Sequence, residues 1–168
     1  MYPYPWRVSY HDCFGWSVSA PAYSPLVFHL TRCISPKSPK PMPSRILLAD
    51  PVLVVQNGMR AILKGEDDLE VCRAVGSAPE AHRAIRRSAP DLVITSLSLE
   101  DTGGLNFLED LRVSHPDLPV LVFGRYDHAE VAEHALAIGA DGYVPKTAPT
   151  ETLIESLHRV LDGDTYVA

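Results

Sequence analysis

DLVITSLSLEDTGGLNFLEDL, residues Asp91–Leu111, reads as a buried strand, a loop with paired glycines and an amphipathic helix. The run Leu92–Thr95 is short and continuous rather than alternating, the pattern of a strand covered on both faces of a parallel sheet. It delivers Ser96 to the carboxyl end of the strand, where folds of this kind place their reactive groups. What a serine does there decides the function.

The same shape recurs along the chain. Further strand-like runs occupy Ile46–Ala49, Leu69–Val75, Val120–Phe123 and Gly142–Val144, with helical segments between them. Ser77 and Glu80, around Pro79, have the spacing of a capping box that opens the second helix. Asp127 with Glu130 repeats it for the fourth helix, whose stripe Val131, Ala135 and Ile138 ends at Gly139. Pro149 suits the first turn of the last helix, Leu153, Ile154, Leu157, Val160 and Leu161 form its apolar face, and Gly163 ends it. Five strand–helix units predict an α/β, flavodoxin-like (βα)5 fold: a doubly wound parallel sheet with right-handed crossovers and strand order 2-1-3-4-5. Asp50 and Ser96 then end at one crevice.

Residues 1–44 differ from the rest. They hold eight of the fifteen prolines and eight of the thirteen aromatic residues, and contribute +3 to a net charge of -6. This N-terminal extension shows no helical or strand period, and is expected to be a disordered tail, an adhesive arm or a mispredicted start ahead of Met42. The domain proper is expected over 45–165. The acidic balance argues against direct nucleic-acid binding, and Cys13, Cys33 and Cys72 form neither metal-ligand spacing nor a disulfide framework. Cys72 reads as a small core residue. No apolar run approaches the roughly 20 residues of a membrane span, so a cytoplasmic protein without membrane association is expected.

RILLADPVLVVQNGMRAIL (Arg45–Leu63), PDLVITSLSLEDTGGL (Pro90–Leu105) and ALAIGADGYVPKTAPTETLIESL (Ala135–Leu157) together resemble a response-regulator receiver (CheY-like) domain of two-component signalling, most of all the NarL/LuxR-type branch. The resemblance implies an aspartate at the end of the third strand that accepts a phosphoryl group from a histidine kinase. It further implies two acids after the first strand that hold Mg2+, a Thr or Ser ending the fourth strand, and a Lys ending the fifth. This chain keeps Asp50, Lys146 and the aromatic Tyr143. Pro51 stands for the second acid, Ser96 for the phosphoacceptor, Gly124 for the hydroxyl of the switch, and Glu100 for the usual loop proline.

Those replacements have physical consequences. Mg2+ takes near-octahedral oxygen ligands, usually with one or two carboxylates. With Pro51 and Ser96 in place only Asp50 remains, and Lys146 can neutralise it; the attraction is on the order of 4 kcal/mol before desolvation is counted. No cofactor is expected; Asp50 and Glu100 are weak metal candidates, Glu100 with Asp101 being a loop pair of acids near Ser96. An unassisted serine hydroxyl is a poor nucleophile, and His128 is the one base in reach of the crevice by sequence. Gly124 offers no side chain to bond a phosphoryl group, so the switch at Tyr143 loses its trigger. Gly103 and Gly104 read as a tight turn rather than a phosphate cradle.

The chain is therefore expected to be a non-enzymatic pseudo-receiver that acts by protein interaction. Its partner would be a histidine kinase, a phosphotransfer protein or another regulator. The resemblance implies contact, or homodimerisation, through the face of the fourth helix, fifth strand and fifth helix, with Ala135, Leu136, Tyr143 and Val144 as candidates. Since the sequence ends just past the last helix, no helix-turn-helix output domain and no direct transcriptional role are expected. Competing readings are a single-domain regulator phosphorylated on Ser96 or a nearby acid, and a truncated remnant of a transcriptional regulator.

Overall fold

The computed structural model describes residues 42–99 and 103–168. Residues 1–41 of the expected extension lie outside the described residues, as do Glu100 and Asp101. Five strands and five helices alternate: β1 (Ser44–Ala49), α1 (Leu53–Leu63), β2 (Leu69–Val75), α2 (Ala78–Ser88), β3 (Leu92–Thr95), α3 (Gly104–Ser114), β4 (Val120–Gly124), α4 (Ala129–Ile138), β5 (Gly142–Pro145) and α5 (Thr150–Leu161). The sheet is parallel and ordered β2-β1-β3-β4-β5, as expected, with one addition. A two-residue strand β6 (Tyr166–Val167) pairs with β5. Two residues carry no readable period, so the sequence offers no signal for it.

Alternation within each strand supplies two cores. Leu47, Ala49, Val93, Val120 and Val122 face α2, α3 and α4, meeting Ala81, Ile85, Phe107, Leu111 and Ala135. Ile46, Leu48, Leu92, Ile94 and Leu121 face the other way, onto Met59 and Leu63 of α1 and Leu153, Leu157 and Val160 of α5. Both faces of the sheet are thus covered, which accounts for the continuous apolar runs.

Several local expectations need correction. Ser77 is the N-cap of α2 but makes no side-chain capping bond; Glu80 instead accepts the Gly76 N–H at 3.3 Å. The N-cap of α4 is His128, not Asp127, and Pro149 precedes α5 as its N-cap rather than lying in its first turn. Cys72 is only half-buried; it sits where the β1–β2 register slips between Ile46 and Leu47, and its thiol donates to the Ile46 carbonyl at 3.4 Å.

Candidate functional site

The carboxyl ends of β1 and β3 lie side by side, Ala49 opposite Thr95, so the next residues, Asp50 and Ser96, share one crevice. The Ser96 amide is tied to the Ala49 carbonyl at 2.9 Å, and the Asp50 amide to the Val75 carbonyl at 3.0 Å. Gln56 of α1 donates to the Asp50 carbonyl at 2.7 Å, fixing the loop against the first helix.

Asp50 is 1% exposed. One carboxylate oxygen accepts the Val52 N–H at 2.8 Å, just ahead of α1; the other meets the Lys146 ammonium in a direct ion pair. Lys146 reaches the crevice because its amide is anchored to the Gly124 carbonyl at 2.6 Å. Its ammonium also lies 5.7 Å from the centre of the Phe123 ring, within cation–π range. Both carboxylate oxygens are therefore engaged by the protein.

Ser96, 3% exposed, has its hydroxyl oxygen between two donors, the Ser98 N–H at 3.2 Å and the Lys146 ammonium at 3.5 Å. Among the described residues no base accepts its proton. His128 stacks on Tyr126, ring centres 6.3 Å apart, and makes no hydrogen bond to Ser96, which removes the Ser–His reading. Among the described residues no group of three or more His, Cys, Asp or Glu side chains converges as metal ligands. The paired glycines act as a hinge for close packing: Gly103 has φ of 75°, and a Cβ on Gly104 would stand 2.2 Å from the Ser96 carbonyl oxygen.

Gly124 and Tyr143 meet in a way the sequence did not disclose. Tyr143 is buried, its hydroxyl donating to the Tyr126 carbonyl at 2.6 Å. A Cβ added at Gly124 would stand 2.0 Å from that hydroxyl and 2.4 Å from Cζ, so the phenol fills the space that a side chain at 124 would need. Removal from water holds the Tyr143 hydroxyl above its ordinary ionisation range, opposed by the bond to Tyr126 and reinforced by the Asp127 charge.

Burial corrects the residues expected to carry the contact face. Ala135, Tyr143 and Val144 lie in the core and Leu136 is only partly accessible, because β5 is a covered strand and α4 turns these positions inward. The free edge of β5 is in turn occupied by β6, with the Ala168 N–H on the Tyr143 carbonyl at 3.1 Å.

Comparison with known proteins agrees with this architecture. The family model described as the response regulator receiver domain matches residues 46–158. The oxygen regulatory protein NreC of Staphylococcus carnosus is 36% identical over 124 residues, and that of Staphylococcus haemolyticus 34%. Each alignment covers 73% of this chain and 57% of the relative, so the chain spans little more than half the length of either. A LuxR-family two-component response regulator from an Aurantimonas species superposes with a TM-score of 0.70 at 27% identity, over 74% of this chain and 89% of that one. With the sheet order, the Asp50–Lys146 pair and the matched span all in accord, the chain belongs to the response regulator receiver domain family.

Proposed function

We propose that this receiver works without phosphorylation of an aspartate, as a signalling module that acts through protein contact. The observation that carries the reading is the closed pair of Asp50 and Lys146 beside a serine hydroxyl. A phosphoacceptor must offer a free nucleophilic oxygen, and neither side chain does. The Asp50 oxygens already accept from Val52 and Lys146, while among the described residues the Ser96 hydroxyl has no base to take its proton.

The donor set does not fit Mg2+ either. A hard dication would have to take Asp50 from Lys146 and find its remaining ligands with proline, not a second acid, at position 51. No step is therefore routed through a metal.

A partner would meet the flank of α4 and α5, where Glu133, His134 and Glu155 are exposed and β6 presents the half-exposed Val167. We place a histidine kinase, a phosphotransfer protein or a second regulator there. No helix among the described residues is long and apolar enough to cross a membrane.

Incubating the protein with acetyl phosphate and Mg2+ and weighing it intact tests the reading. An unchanged mass is expected. One stable phosphoryl adduct, mapped to Ser96 or to a neighbouring acid, would replace it with the phosphate-accepting alternative.

A further inference from the structure

Along the β2 edge of the sheet lies a cleft of about 390 Å³, bounded by α1, β2 and α2. Four arginines line it: Arg60 from α1, Arg73 from β2, and Arg83 and Arg87 from α2, over a floor of Ala74, Val75 and Ala84. The one acid among the described lining residues, Glu80, is bonded to the Gly76 amide. None of the four guanidinium groups has an ion pair or hydrogen bond to another described residue, whereas Arg45, Arg112 and Arg159 all do. On a chain of net charge -6, three elements converge to build one pocket in which four arginines outnumber one acid among the described residues.

We propose that this cleft binds a compact anion bearing two or more phosphate groups. Guanidinium forks match phosphate oxygens in bidentate geometry, and four of them repel one another until an anion is present. The volume lies at the small end of the range of ligand pockets, about 300 to 1,000 Å³. A long polyanion would also cross the acidic remainder of the surface, but a small one feels only the field within about 8 Å at physiological salt. Among the described residues no aromatic side chain lines the cleft, so recognition rests on the phosphates and not on a stacked base.

The test is calorimetric titration of the full chain with inorganic tripolyphosphate at about 0.15 M ionic strength. Saturable one-site binding is expected, with a rise in thermal midpoint. Arg73→Gln and Arg83→Gln should each weaken it about tenfold or more, the loss of one charged hydrogen bond. Arg86→Gln removes the same charge from the same helix outside the cleft, and should change affinity less than about twofold. Absence of saturable binding overturns the proposal, as does an equal loss in Arg86→Gln, which would mean diffuse charge attraction. Equal affinity for orthophosphate would refute recognition of several phosphates. Tighter binding of polyglutamate or duplex DNA would assign the cleft to a macromolecule instead.

Discussion

The hydroxyl of Tyr143 stands 2.0 Å from where a Cβ on residue 124 would lie. Gly124 and the inward phenol therefore require each other. In a receiver whose switch depends on a hydroxyl side chain at this position, glycine removes the group that would bond a phosphoryl oxygen. It also opens the space that Tyr143 fills, and the bond to Tyr126 holds the ring there. On the proposed reading the aromatic has no second arrangement coupled to phosphate, since a ligand without differential contacts in two states cannot shift a population.

Restoring a side chain at this position should expose that dependence. Gly124→Ser is expected to lower the unfolding free energy by about 1 to 3 kcal/mol through overpacking against the phenol. Tyr143→Leu costs stability too, by emptying a filled site. In the double variant the two costs should fail to add, with a coupling of about 1 kcal/mol or more, because the contact is direct. Urea unfolding of the four proteins measures it, and simple additivity would show that the ring moves aside freely.

Lys146 and Asp50 make an unequal pair. The lysine side chain is 23% exposed and the carboxylate 1%, so losing the cation strands a buried anion while losing the anion frees a cation near water. Lys146→Met should cost about 3 to 5 kcal/mol, the penalty of a buried unpaired charge. Adding Asp50→Asn should recover part of it. If the double variant is less stable than Lys146→Met alone, the pair is not what holds the crevice together.

Ser96→Asp supplies the missing carboxylate and nothing else. Beside Asp50 it would compete for Lys146, but Pro51 still provides no second acid and Gly124 no hydroxyl. Treatment with acetyl phosphate and Mg2+ should leave its mass unchanged. Adduct formation by this single variant would mean that Pro51 and Gly124 are tolerated, and that Ser96 alone silences the site.

The site was legible in sequence to the extent that strand ends are. Asp50, Ser96 and Lys146 each follow a continuous apolar run, and the fold brings the ends of such runs together. The contact between Gly124 and Tyr143 was not legible, because it depends on how β4 and β5 register, with Val122 beside Tyr143 and Gly124 beside Pro145. Burial likewise reversed the outward reading of Ala135 and Val144, which rested on the resemblance, while their apolar pattern already fitted a core. Arg112 shows the same limit. Its guanidinium bonds to the carbonyls of Gly139, Pro116 and Leu118 and to the Asp141 carboxylate, tying α3 to two later loops through residues no motif connects. The arginine cleft was hidden for that reason too, its members being scattered from position 60 to position 87.

Alkaline titration gives an independent reading of the buried phenol. Burial favours its neutral form, so its folded-state ionisation lies above the ordinary value of 10.0. As pH rises past that value the unfolded chain loses the proton while the folded chain keeps it, and stability must fall as pH rises until the folded phenol also ionises. Tyr143→Phe retains the ring and lacks the proton. At neutral pH it should be less stable than the parent by about 1 kcal/mol, the loss of the hydrogen bond to Tyr126. Above the ordinary tyrosine range that difference should shrink, since only the parent is losing this contribution. Unfolding curves of both proteins, collected from neutral pH into the alkaline range, report the difference directly. A gap that stays constant or widens with pH would place the Tyr143 hydroxyl in contact with water, contrary to the closed position over Gly124.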